Sequence, residues 1–259
     1  MIDTHTHLYL EQFDKDRSEV VENALKNGIN KLLLPNINLE SVKGMDDLVS
    51  QYPNQCFGMM GLHPCSVAAD YKTVLSKMKS LLNLNPNYIA IGEIGMDLYW
   101  DKTFINEQAD ALKIQIEWAK TMHLPIVIHV RDAFNEIFEV IDALNDDSLT
   151  GVFHCFTGTI EQADHILNYG GFKLGLGGVL TFKNSGLDKV VSQIDMRHLV
   201  LETDSPYLAP TPHRGKRNES SYVNLVGQKL ADIKNLPIQK IDEITTQNAN
   251  AVFNLKNKD

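Results

Sequence analysis

A chain of 259 residues has room for one large α/β domain or two small ones, and its composition, 43% hydrophobic and 22% charged, is that of a soluble globular protein. No apolar run reaches the length needed to span a bilayer. With 24 Lys and Arg against 33 Asp and Glu, the formal net charge is −9; this excludes a protein that coats nucleic acid by bulk charge, but not one that holds phosphates locally with metal ions and a few arginines.

The first residues lack the basic segment of a cleavable signal. Cys56, Cys65 and Cys155 form no CxxC pair and cannot all lie in intramolecular disulfides. A reducing, cytoplasmic setting is expected, with no membrane contact and no obligate protein partner.

In chain order, a strand at Met1–Thr4 is followed by a helical stretch at Lys15–Asn27 and by strands at Lys31–Leu34, Cys56–Gly61 and Tyr88–Gly92. A helix at Ile105–His123 leads to a strand at Ile126–His129, and Phe134–Leu144 leads to Gly151–His154. Ile160–Tyr169 precedes a strand at Phe172–Gly175, and Asn184–Ile194 precedes the last strand, His198–Glu202. Two more helices are expected at Tyr222–Lys234 and Ile238–Phe253, divided by the Leu236-Pro237 step. Eight strands alternating with helices predict an α/β fold, a single (β/α)8 TIM barrel spanning residues 1–259 as one domain. A doubly wound open sheet is the rival, but no GxGxxG follows the first strand.

The residues that end these strands share a chemistry. The first strand ends in His5 and His7, whose alternate spacing puts them on one face. The third ends in GLHP with His63, the fourth in GEIG with Glu93, the fifth in VIHVRD with His129, the sixth in VFHCF with His154, and the eighth in LETDSP with Glu202 and Asp204. In a barrel those carboxyl ends converge on the face where catalytic sites lie, so a metal site there is expected. Four imidazoles and two carboxylates exceed the three protein ligands of a single catalytic zinc and suit two ions. Glu93, on the central fourth strand, is the expected bridge: His5, His7, Glu93 and Asp204 on one ion, and Glu93, His129 and His154 on the other. Ions about 3.5–4 Å apart can stabilise both the attacking and the leaving oxygen of a displacement.

The stretches IDTHTHL, GLHP, AIGEIGMD, PIVIHVRDA, FHCFTG, LETDSPYLAP and HRGKRNES, with NANAVFNL at the C-terminal end, resemble the TatD family of metal-dependent deoxyribonucleases, within the amidohydrolase-like barrel enzymes. Val130 and Ser220 depart from residues common at their motif positions, serine and proline respectively, and neither removes a ligand. The resemblance implies a divalent-metal phosphodiesterase acting on DNA, with 3′–5′ exonuclease activity on single strands or strand ends. It implies magnesium as the metal, while the mixed N/O donor set equally suits zinc, manganese, nickel or cobalt. In that reading Asp204 and Glu93 are catalytic, with Asp204 both ligand and general base. Arg214 is the expected phosphate clamp, His63 and Arg131 contact substrate, and Glu202 orients a neighbour by hydrogen bonding. Lys216 and Arg217 would extend the cationic strip. His123, His165 and His198 are expected to be structural. Two rival readings stand beside this one: a binuclear-metal hydrolase of a small amide or lactone, and a non-enzymatic binder with a degenerate site.

Overall fold

The computed structural model describes residues 1–255. Its strands are β1 (Ile2–Asp3), β2 (Lys31–Leu34), β3 (Cys56–Gly58), β4 (Ile91–Asp97), β5 (Ile126–Arg131), β6 (Gly151–Phe153), β7 (Phe172–Leu176) and β8 (Leu199–Leu201). Between and after them lie helices α1 (Arg17–Lys26), α2 (Ser41–Gln51), α3 (Tyr71–Leu84), α4 (Ile105–Met122), α5 (Phe134–Leu144), α6 (Ile160–Asn168), α7 (Leu187–Gln193), α8 (Val223–Lys234) and α9 (Ile238–Phe253). All strand pairs are parallel, in the orders β1-β2-β3 and β4-β5-β6-β7-β8. Two isolated bridges, Met60 to Ile91 and Thr6 to Ser205, join the two arcs into a closed ring. This is the (β/α)8 barrel that the alternation predicts.

Local chemistry sets the element ends. Thr159 accepts the Gln162 N–H while the Gln162 side chain accepts the Thr159 N–H, so a capping box starts α6. His123 closes α4 in the left-handed conformation (φ 53°) just ahead of Leu124-Pro125, which gives it the structural place expected for it. Helices α2 and α3 supply the two crossovers that the sequence reading leaves blank. Strand β4 starts three residues later than predicted and runs through Glu93 to Asp97. Its glycines read as a strand end, yet Gly95 and Asp97 pair with His129 and Arg131 of β5. At Gly95 (φ 145°) a Cβ would lie 2.0 Å from the His129 carbonyl oxygen, so glycine is what lets β4 approach β5 this closely.

Alternation along the strands then sorts side chains into two cores. The larger cluster fills the space between strands and helices. The smaller comprises Ile2, Leu33, Met59, Ala90, Val127, Val152 and Val200 together with Ala249, Phe253 and Leu255. Val127 shares its face with His129, Val152 with His154 and Val200 with Glu202, so this cluster fills the barrel lumen beneath those polar side chains. Helix α9 seals the lower end: Asn248 donates to the Met196 and Leu199 carbonyls at the start of β8, and Lys31, first residue of β2, donates to the Leu255 carbonyl. Each aliphatic or aromatic side chain buried this way contributes about 1.5–3 kcal/mol.

Candidate metal centre

At the upper end of the lumen, β4 carries Glu93, β5 carries His129, and His154 follows β6. His5 and His7 follow β1, and Asp204 follows β8 beside them. The seam between these last two segments is held by backbone bonds from Asp204 N–H to the His5 carbonyl (2.9 Å) and from His7 N–H to the Ser205 carbonyl (2.8 Å). Thr6 and Ser205 hydroxyls add a third link at 2.8 Å. Two residues nearly 200 positions apart are thereby fixed side by side.

Glu93 stands in the middle, and its two oxygens face different groups. Oε2 lies 3.2 Å from His5 Nε2 and 3.5 Å from His7 Nε2, while Oε1 lies 2.8 Å from His154 Nε2 and 2.9 Å from His129 Nδ1. Asp204 Oδ1 joins the first group, 3.6 Å from His7 Nε2 and 3.8 Å from His5 Nε2. The six residues thus gather around Glu93, and the clusters close enough to share one ion are His5, His7 and Glu93, then His63, Glu93 and His129, and below them His5, His154 and Glu202. Within them, the His5 and His7 nitrogens are 3.2 Å apart and those of His129 and His154 are 3.3 Å apart. Two nitrogens on one zinc-sized ion, each about 2.0–2.1 Å from it, stand about 3.3 Å apart in a tetrahedral arrangement. The donor set therefore fits divalent cations.

Hydrogen bonds behind the rings settle which nitrogen faces inward. The Tyr9 hydroxyl donates to the Pro35 carbonyl (2.6 Å) and so accepts from His7 Nδ1–H (2.8 Å), leaving a lone pair on His7 Nε2. His129 Nε2–H donates to Asp97 Oδ2 at 2.9 Å, so that Nδ1, 2.9 Å from Glu93 Oε1, is the nitrogen facing the centre. His63 is the opposite case. Its Nδ1 accepts the Cys65 N–H (3.1 Å), so the proton sits on Nε2, 3.3 Å from Glu93 Oε1. That geometry turns a His63 N–H toward Glu93 at the edge of the centre, where His63 also lies within reach of an ion shared with Glu93 and His129.

Charge at the centre follows from these contacts. Burial pushes the Glu93 carboxyl up, but the imidazoles of His154, His63 and His5 outweigh it and hold the group well below the usual carboxylate range. Asp204 is likewise held low by His7, His154 and His5 against its burial. Asp97, in spite of burial, is pulled down to about 2 by its bond to His129. Asp3, below the centre, goes the other way: burial lifts it to about 7 although Ser220 and Thr203 donate to it.

A family model for TatD-related DNases matches residues 2–254. The chain belongs to the TatD DNase family. It is 35% identical over 256 residues to a metal-dependent hydrolase, YabD, of Bacillus subtilis, covering 98% of this chain and 99% of the relative. It is 30% identical to the 3′-5′ ssDNA/RNA exonuclease TatD of a Rahnella species, covering 98% of each. Among solved structures, the TatD homologue YjjV of Escherichia coli superposes with a TM-score of 0.92 at 26% identity, again covering 98% of each chain.

The centre of this TatD-family hydrolase opens into a cavity of about 710 Å³, lined by His7, His63, Glu93, His129, His154 and Asp204 among others. Of the two arginines expected to meet substrate, Arg131 lines this cavity. Arg214 is not among the lining residues; it is exposed, with its guanidinium 3.8 Å above the Phe182 ring. Arg217 is occupied by a bidentate pair with Asp16 (2.8 and 2.7 Å) and a contact with Glu219. Lys216 is exposed beside it. His165 stacks on Phe138 and pairs with Asp142, and His198 accepts from Arg197, structural settings for both. His213 stacks on Tyr222 at 4.1 Å.

Glu202 is fully buried below the centre. Oε1 accepts the Cys155 N–H and lies 3.4 Å from His154 Nδ1, while Oε2 has no partner. The His5 ring stacks on His154 at 3.8 Å, and their Nδ1 atoms are also unpartnered. Room for the Glu202 carboxylate comes from Gly175, where a Cβ would lie 2.2 Å from Oε2.

Two residues of the site are absent from the sequence reading: Tyr9 and Asp97, which fix the rings of His7 and His129. For Asp97 the signal is the alternation along β4, where it is the second alternate residue after Glu93. Tyr9 sits in the turn beyond β1, where strand alternation no longer applies.

Proposed function

We propose that the protein is a divalent-metal-dependent deoxyribonuclease that hydrolyses DNA phosphodiester bonds at single-stranded ends, in the 3′–5′ direction. The observation that carries the reading is the division of Glu93, one oxygen to each of two imidazole groups, at the floor of an open cavity. The 30% identical Rahnella relative named as a 3′-5′ exonuclease supports the choice of substrate.

His5, His7, Glu93 and Asp204 would hold one ion, and Glu93, His129 and His154 the other. Divalent ions held there supply Lewis acidity, which makes water nucleophilic near neutral pH and offsets charge on the phosphoryl oxygens. The remaining parts are side-chain chemistry. Asp204, ionised at neutral pH, accepts at Oδ1 the proton that the attacking water gives up. His63 donates its Nε2–H to an oxygen of the substrate. Arg131 offers a guanidinium to the phosphate at the cavity wall. Tyr9 and Asp97 hold the His7 and His129 rings so that each keeps its lone pair toward the centre. Glu202 backs His154 from below.

The test is to incubate the metal-loaded protein with end-labelled single-stranded DNA under several divalent ions, with and without chelator, and with amide and lactone substrates in parallel. Stepwise shortening from the 3′ end that chelator abolishes is the expected result. Intact DNA under every ion, with a small amide or lactone cleaved, overturns the reading.

A further inference from the structure

Five large hydrophobic side chains stand exposed among the described residues: Leu84, Tyr99, Trp100, Tyr207 and Leu208. Four of the five crowd the mouth of one cavity, with Trp100, Tyr207 and Leu208 in its lining and Tyr99 next to Trp100. Trp100 is 71% exposed and Tyr207 46%. Singly exposed apolar side chains are ordinary, but a contiguous group of flat faces at a cavity mouth marks a binding surface.

The two aromatic banks face different halves of the centre. The Tyr207 ring lies 6.2 Å from the His7 ring, over the first imidazole group. On the other bank, the Arg131 guanidinium lies 3.7 Å above the Tyr99 ring and 5.1 Å from Trp100, two residues beyond His129 on β5. Asp97 ties this bank down: while Oδ2 holds His129, Oδ1 accepts the backbone N–H groups of Tyr99 (3.0 Å) and Trp100 (3.3 Å).

Charge narrows what can sit there. The chain carries a net charge of −9, and among the described residues Arg131 is the one lysine or arginine lining the cavity. Phosphate neutralisation by protein cations, the usual source of affinity for nucleic acid, is therefore nearly absent from this wall. Flat aromatic faces flanked by one guanidinium are instead the chemistry that stacks unpaired bases.

We propose that Trp100, with Tyr99 and Arg131 behind it and Tyr207 on the opposite bank, forms a stacking platform for the unpaired bases next to the scissile phosphodiester. Stacking, rather than phosphate charge, supplies most of the strand's affinity. Base-paired ends must fray before they can occupy it. The inference rests on the phosphodiesterase reading, and a binding measurement separates the two.

Binding is measured on the full chain in chelator, by anisotropy of labelled single-stranded DNA and by the intrinsic fluorescence of Trp100; the other tryptophan, Trp118, is buried. An oligonucleotide with abasic residues at its 3′ end should bind about tenfold more weakly than its normal counterpart. Trp100→Ala should lose the same factor on normal DNA and nothing on abasic DNA, whereas Trp100→Phe should stay near the parent. The slope of log K against log salt should be no steeper than about −0.7, the value for one phosphate contact on a single strand. In the metal-loaded enzyme, Trp100→Ala should raise KM and leave kcat nearly unchanged. Equal affinity for normal and abasic DNA, or parental affinity in Trp100→Ala, overturns the platform. Base-dependent quenching without cleavage under any metal supports the platform and removes the nuclease reading alone.

Discussion

The two ends of the barrel lumen are built from the same strands and do opposite work. Below, Val127, Val152 and Val200 interlock with Phe253 and Leu255 of the C-terminal segment in an apolar cluster. One strand position pair higher, the same faces carry His129, His154 and Glu202. The lower end has apolar contacts to gain and no ligand to hold. The upper end gathers buried histidines and carboxylates into a polar cluster that gives up apolar contacts. Stability should thus reside at one end and chemistry at the other.

Substitutions at each end sharpen or break that division. The largest effect is expected for Asp204→Asn: removal of the proposed general base should lower turnover about a thousandfold, on the order of 4 kcal/mol in the barrier, while the melting temperature hardly moves. Near-parental turnover in steady-state assays of this variant would take Asp204 out of the chemistry.

Next comes the pH dependence of stability in the metal-free protein, carried by a carboxyl just beneath the centre. Asp3 rises from the ordinary carboxylate range to about 7 on folding because it is buried. A carboxyl with a raised folded pKa stabilises fully below its unfolded value, and that contribution is lost as pH rises through about 7. Three units at about 1.4 kcal/mol each give a loss of up to about 4 kcal/mol between pH 4 and 8. Denaturant melts should show this decline, and Asp3→Asn should flatten it. An equal slope in both proteins would place the titrating groups elsewhere.

At the lower end, Phe253→Ala should cost about 3 kcal/mol of unfolding free energy by opening a cavity under the valines. The specific activity of the folded fraction should be unchanged. A proportionate fall in kcat would show that the two ends are mechanically coupled. The smallest effect is expected for Asp97→Asn, which keeps the shape but weakens the hold on His129 Nε2–H. Metal affinity should drop about 10- to 100-fold by calorimetry, with stability near the parent's.

How much of this could be read from the chain depends on how local each cause is. The barrel and the six candidate ligands were legible because each ligand sits at the end of an apolar run, and strand order in a parallel barrel follows chain order. The extent of β4 was not, because Gly92 and Gly95 look like a strand terminus until the close approach of β5 explains Gly95. Helix α2 carries Gly44 in mid-course, which blurs its periodicity. Arg214 and Arg217 show the firmest limit. Phe182 and Asp16 engage them from 32 and 201 positions away, and nothing near a basic loop announces such partners. Asp97, by contrast, was within reach of the alternation along β4, while Tyr9 sits in the turn beyond β1, where strand alternation no longer applies.

Asp97 also constrains how this barrel can change. One carboxylate grips a ring nitrogen on β5 and two amides of the loop at the cavity mouth. Loop and imidazole are therefore a single rigid part. An insertion between Asp97 and Trp100 would carry its cost straight to His129, so new substrate ranges should arise by exchanging side chains at positions 99 and 100 and not by lengthening the loop. Descendants of this protein are freer to repaint the doorway than to rebuild it.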